Sequence, residues 1–249
     1  MWAIATRELR SFFLSPLAWS ILGIIQFIVG LTFIANVSMF LQPNTQSALS
    51  QSPDAPGLTE FVVSDLFGLT GIILLLVTPL LTMRLISEER RQKTLSLLFS
   101  APLSMTSIVL GKFLGLMGFF AIMLGLLTLM PLSLLMGGTL DFGQLAVSLL
   151  GLLLLMGAFT AIGLYMSTLT SHPTVAAIST FGILLFLWII EWAGSSLGQG
   201  SLLNYLSIIT HYQELLKGLL DSKDVAYYVL TIVLFLGLSI YRLDAERLQ

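Results

Sequence analysis

Cysteine is absent from this 249-residue chain, and histidine occurs only twice. Without thiols there is no disulfide framework, no thiolate nucleophile and no cysteine-based metal site. Charge is scarce as well: 10% of the residues are charged and 56% are hydrophobic, where a soluble domain carries about 25% charged residues. Eleven basic and 13 acidic side chains cannot solvate the surface of a water-soluble domain of this length, so the composition describes a membrane protein. A phosphate-binding loop is missing too. Gly111-Lys112 is followed by Phe113, with no glycine five positions before Gly111, so the backbone cradle that a P-loop needs cannot form there.

What is present is a series of long apolar runs. A hydrocarbon layer of about 30 Å, at about 1.5 Å per helical residue, needs about 20 of them. Six runs meet that length: Leu17 to Phe40, Val62 to Met83, Ile108 to Met136, Leu145 to Leu169, Val175 to Ile190 and Val225 to Tyr241. The expectation is an all-α integral membrane protein of six transmembrane helices, in one transmembrane domain covering residues 1–249. An even number of spans puts both termini on one side. Arg7, Arg10, Arg84, Arg90, Arg91, Lys93, Lys112, Arg242 and Arg247 fall on that side and only Lys217 and Lys223 on the other, which the positive-inside rule reads as cytoplasmic termini.

Before the first span, Trp2, Ala5, Leu9, Phe12 and Phe13 share one helical arc while Arg7 and Ser11 lie opposite. Residues 1–15 therefore read as an amphipathic interfacial helix, separated from the span by Pro16. The segment is too long, and lacks a small-x-small site, for a cleaved signal peptide. Between spans five and six, residues 194–222 read as one or two interfacial or re-entrant helices on the outer side, since Tyr205, Ile208, Tyr212, Leu215 and Leu219 recur at helical spacing. The loop Leu41 to Phe61, rich in Pro, Ser, Gln and Asn, reads as an irregular connection.

Six charged residues crowd between Arg84 and Lys93. Ser87 is placed to cap a helix with Glu88 and Glu89 in its first turn, and Glu89 with Lys93 makes an i, i+4 pair. Leu95, Leu97, Leu98 and Phe99 then make its second half apolar, and Pro102 ends it. The pattern predicts one amphipathic helix over 87–99.

The run Ile86-Ser-Glu-Glu-Arg-Arg-Gln-Lys-Thr-Leu-Ser-Leu-Leu, followed by Ala101-Pro-Leu-Ser, resembles the signature between spans two and three of type 2 ABC exporter permeases, with Ser96 where that family more often has an acid. Arg7-Glu-Leu-Arg-Ser-Phe-Phe-Leu-Ser-Pro-Leu-Ala-Trp, and the segment from His211 through Tyr228, resemble the gliding-motility (GldF-like) branch of the same family. The resemblance implies a non-catalytic permease subunit in a bacterial inner membrane, driven by a separate ABC ATPase chain. That chain would hold the ATP and Mg²⁺; no cofactor belongs to this one. It also implies a second permease copy or paralogue and, for the gliding branch, an auxiliary protein with a periplasmic domain. Membrane lipids are expected partners and nucleic acid is not. On this resemblance Ser87, Glu88, Glu89, Arg90, Arg91, Lys93, Thr94, Leu97 and Leu98 form a coupling helix docked to the ATPase. Arg7, Glu8 and Arg10 belong to a connecting helix beside it.

His172 stands as a second cytoplasmic contact or an exposed loop histidine. Glu191, at the end of span five, is a costly acid or an ordinary interfacial one. His211 is a ligand or pH site on the outer face, or an interfacial anchor. The two histidines lie on opposite faces and cannot share a metal. Gly111, Gly115, Gly118, Gly157 and Ala161 have the spacing that lets helices approach closely. Two other readings compete with an exporter: a non-transporting mechanical or assembly component of an ABC complex, and an intramembrane hydrolase. The hydrolase fails on detail, because Lys93 stands where a Glu-Glu-x-x-x-Arg protease needs arginine and no Gly-x-Ser-Gly sequence occurs.

Overall fold

The computed structural model describes residues 1–43, 45, 57–94, 104–136, 140–196 and 205–247, with backbone alone for 136 and 192–196. Most of the Leu41 to Phe61 connection, and Leu97 and Leu98, lie outside the described residues. Those described form α-helices, one short 3₁₀ helix (Leu134–Met136) and no strand. The helices are α1 (Trp2–Leu14), α2 (Pro16–Phe40), α3 (Leu58–Thr82), α4 (Ser87–Arg91), α5 (Met105–Ser133), α6 (Phe142–Leu169), α7 (Pro173–Ser196), α8 (Ile208–Leu216) and α9 (Ser222–Arg247). Six of them, α2, α3, α5, α6, α7 and α9, are long and apolar enough to cross a membrane. This multi-pass, six-span architecture is the one the apolar runs predict.

Helices α3, α5, α6 and α9 start three or four residues before those runs. Polar starts explain the extension for two of them. The Ser104 hydroxyl accepts the Ser107 N–H ahead of α5, and the Asp141 carboxylate accepts the N–H groups of Gly143 and Gln144 ahead of α6, so free first-turn donors are satisfied by side chains that no hydropathy pattern counts. The Asp141 N–H also donates to Thr59 Oγ1 at 3.0 Å, joining the starts of α6 and α3. Replacing Asp141 by alanine is expected to cost about 1 kcal/mol, read as a lower unfolding midpoint in detergent.

Helix α6 is the centre of the bundle and packs against α3, α5, α7, α8 and α9; Leu152, Leu155, Met156, Phe159 and Ile162 are fully buried in it. Two of its glycines make the contacts close. A Cβ at Gly157 would lie 2.8 Å from Ile232 of α9, and one at Gly163 would overlap Thr82 of α3. Helix α2 behaves oppositely: Phe27, Leu31 and Ile34 are more than half exposed, a surface that only lipid or another apolar partner can cover favourably. Its polar residues bond to helices rather than form a lining, with Asn36 donating to Asp65 at 2.6 Å and Gln26 to the Met123 carbonyl at 3.5 Å.

Ion pairs and hydrogen bonds place α1, α4 and the last turn of α9 together at one end of the bundle, the terminal face. Helix α8 sits at the other end, beside the starts of α3, α6 and α9.

Candidate coupling site at the terminal face

Helix α4 is much shorter than the 87–99 helix the pattern predicts. Lys93 adopts a left-handed backbone (φ 57°), its N–H donates to the Arg90 carbonyl at 3.1 Å, and the Thr94 N–H donates to the Glu89 carbonyl at 2.9 Å. That pair of bonds is a helix-terminating motif. A side-chain-bearing residue in this conformation costs roughly 1–2 kcal/mol, so the motif persists only because the termination it makes is favoured. Ser87 does not cap the helix. It is fully buried and its hydroxyl donates back to the Met83 carbonyl. The cap comes from another helix: Ser167 of α6 accepts the N–H groups of Ile86 and Ser87 at 3.1 and 3.0 Å and donates to the Met83 carbonyl at 3.2 Å.

The predicted Glu89–Lys93 pair gives way to a longer-range one. Lys112, four residues from the expected start of span three and 3% exposed, donates to Glu89 of α4 at 2.7 Å and to Glu8 of α1 at 2.9 Å. A buried ammonium is stable only with such partners, and here one cation ties three helices. The approach of α1 to α5 depends on small residues: a Cβ at Gly111 would lie 2.8 Å from the Ile4 side chain, and one at Gly115 would lie 2.7 Å from that of Glu8. Phe12 and Phe13 close the contact around Phe119, with ring centroids 5.8 and 5.7 Å apart.

On its other flank α4 joins the carboxyl-terminal helix. Arg90 donates to both carboxylate oxygens of Glu246 at 2.7 and 2.5 Å, and Arg242 lies 3.4 Å from the same group. The residues of α4 therefore divide. Ser87, Glu89 and Arg90 hold it to α6, to α5 and to α9, and Lys112 carries the link on to Glu8 of α1. Arg91, Gln92, Lys93 and Thr94 are exposed, and the half-buried Glu88 pairs with Arg91 at 2.7 Å on that outer side. A cleft of about 220 Å³ beside this outward group has Glu8, Ser11, Leu81, Arg84 and Glu88 among its lining residues. Arg7 and Arg10 are exposed along α1. His172 is exposed at the head of α7, its N–H donating to Thr170 Oγ1.

At one end of the six-span bundle, then, sits a five-residue charged helix bonded directly to α5, α6 and α9. The profile of ABC-2 family transporter proteins matches residues 2–248. The chain belongs to that family. No curated protein matches its sequence. As an ABC-2 permease it is a transport component of the membrane, and membership implies an ATPase partner and a dimeric arrangement. In sequence, Lys112 of this permease stands out only as a topological charge and as a lysine without a P-loop around it. An ionisable residue inside an apolar run between Gly111 and Gly115 was the available signal. Ser167 and Glu246 carry no comparable signal.

At the far face of the ABC-2 chain the two remaining candidates, Glu191 and His211, have different surroundings. Glu191 is half-buried and stands at the end of the apolar stretch Pro173–Glu191, while the helix itself runs on to Ser196. His211 lies at this face with partners on every side of its ring. It is 8% exposed, bonds Asp224 through Nδ1 at 2.6 Å and the Tyr205 carbonyl through Nε2 at 3.2 Å, and stacks on Tyr227 at 4.3 Å. Burial pushes the Tyr212 phenol well above its usual value, so it stays protonated and donates to the Phe67 carbonyl at 2.7 Å. The Asp221 carboxyl beside this cluster is held below the usual range, first by the Lys223 N–H.

Proposed function

We propose that this chain is the permease of an ATP-driven exporter in a bacterial inner membrane, with cytoplasmic termini, moved at α4 by a separate ATPase. The reading rests on one observation: α4 exposes a charged outer edge while its inner edge is bonded to α5, α6 and α9, and through Lys112 of α5 to α1. A force on that edge is delivered to several spans at once, which is what a coupling element must do. Glu88, Arg91, Gln92, Lys93 and Thr94 make the contact, with Arg7, Arg10 and His172 flanking it. Glu89 and Arg90 transmit rather than touch. ATP and Mg²⁺ bind in the partner, and closure of two ATPases tilts the two permeases between two states.

Charge reversal separates the two edges. Glu88→Arg with Arg91→Glu keeps their mutual pair but inverts the surface, and is expected to weaken co-purification of the ATPase about tenfold, near 1.4 kcal/mol. Membrane insertion should be unchanged, and Lys217→Glu on the far face should leave binding intact. Undiminished ATPase recovery and activity would sink the docking assignment. Reconstituted complex in liposomes, scored for lipid and solute movement, separates an exporter from a mechanical assembly component of the gliding-motility type.

A further inference from the structure

Helix α9 carries a side-chain joint at each end. Near its start Asp224 holds His211 of α8 at 2.6 Å, and near its finish Glu246 holds Arg90 of α4 at 2.5 Å. Asp224 and Glu246 are separated by about 33 Å of helix with no proline between them, whereas α3 and α5 contain Pro79 and Pro131.

The attachments of α8 are unequal at its two ends. Its leading end is held by α9: besides the His211–Asp224 pair, Tyr228 donates to the Ile208 carbonyl at 2.7 Å and Tyr227 to the Leu206 carbonyl at 2.8 Å. Its trailing end is held by α3 and α6, where Ser64, Gln144 and Ser148 all donate to the Leu216 carbonyl at 3.1 to 3.3 Å. There Leu215 seats over Gly151, whose Cβ would lie 2.9 Å from it. Gly218, at φ +81°, then turns the chain away.

We propose that α9 is a rod joining the coupling helix to a far-face gate, and that α8 is this gate, pivoting at Leu216 when α9 shifts against α3 and α6. Arg90–Glu246 is the driving joint and His211–Asp224 the driven one. A small slide of α9 along α6 is a shear motion of packed helices, and it displaces only the end of α8 that α9 holds. The assignment of α4 as the driven element rests on the function proposed above. The coupling itself is reciprocal and exists in the permease alone.

That reciprocity permits a test without the ATPase. The chain has no cysteine, so Gln213→Cys, at an exposed position of α8, is a single reporter for a membrane-impermeant maleimide. In the full-length permease reconstituted into liposomes, Arg90→Glu or Glu246→Arg is expected to change the labelling rate at least about threefold. The Arg90→Glu/Glu246→Arg swap should restore it, and Asp224→Asn should abolish the response to Arg90→Glu. Arg90→Gln serves as the milder variant, with a smaller change of the same sign, if a reversal fails to fold. Equal labelling in all folded backgrounds, or a changed rate that the swap does not restore, overturns the rod. Either result leaves the ATPase-docking measurement unaffected, so the two readings fail separately.

Discussion

Replacing Lys112 by methionine is expected to cost about 3 kcal/mol of folding stability and to free α1 from the bundle. The lysine is 3% exposed, while the side chains of Glu8 and Glu89 keep 17% and 22% of their exposure. Removing the cation leaves two carboxylates facing one site, partly desolvated and mutually repelling. Their residual hydration puts the cost at the low end of that for a broken buried pair. The carboxylates also hold helices that have few other polar ties: among the described residues Glu8 supplies the one ion pair between α1 and α5. Unfolding in detergent measures the stability, and hydrogen exchange of amides 4–14 measures the release of α1. Adding Glu8→Gln and Glu89→Gln to Lys112→Met should recover part of the loss, since the uncompensated charges disappear with the cation. Lys112→Arg should recover less than full stability, because a planar guanidinium cannot occupy the point-like position between two carboxylates. A Lys112→Met protein with unchanged unfolding and unchanged exchange would remove the clamp from the mechanism.

The spans were legible because one physical requirement, enough apolar length to cross hydrocarbon, is written directly in composition. Their starts were less so, since Ser104 and Asp141 begin helices through side-chain hydrogen bonds that precede the apolar runs. The charged loop was legible as a place and misread as a shape. Nothing in the charges of Arg84 to Lys93 reports that Lys93 takes a left-handed backbone, and a helical wheel drawn through that residue pairs Glu89 with the wrong lysine. Long-range partners were the least legible. Lys112 is 104 residues from Glu8 and 23 from Glu89, and Arg90 is 156 from Glu246; such pairs come from how helices pack, which local periodicity does not encode. His211 and Asp224 are only 13 apart, yet a loop and a helix start intervene, so no single period connects them. Packing glycines fared better: the spacing of Gly111, Gly115 and Gly118 announced a close contact, and the structure names α1 as what makes it.

That contact gives the second large effect. Gly115→Leu is expected to displace α1 at a cost of about 3 kcal/mol. A Cβ at position 115 would lie 2.7 Å from the Glu8 Cβ and 3.0 Å from the Ala5 carbonyl oxygen. Neither atom can rotate away, because one is the root of a side chain and the other is backbone. Even Gly115→Ala should therefore cause a clear loss, although alanine is the better helix former by about 1 kcal/mol. Gly125 supplies the control on the same helix: nothing lies within 4 Å of a Cβ there, so Gly125→Leu should leave stability unchanged or raise it slightly. Exchange of amides 4–14 should rise in the Gly115 variants and stay low in the Gly125 one; equal protection in both would show that α1 can move aside without detaching. The pairing with Lys112 adds a sharper criterion. Gly115→Leu and Lys112→Met release the same helix, the first by excluding Glu8 and the second by leaving it without a partner, so their combined cost should fall well short of the sum. Additive costs would mean that the glycine contact and the ion pair hold α1 independently, and that motion of α4 reaches α1 through Lys112 alone.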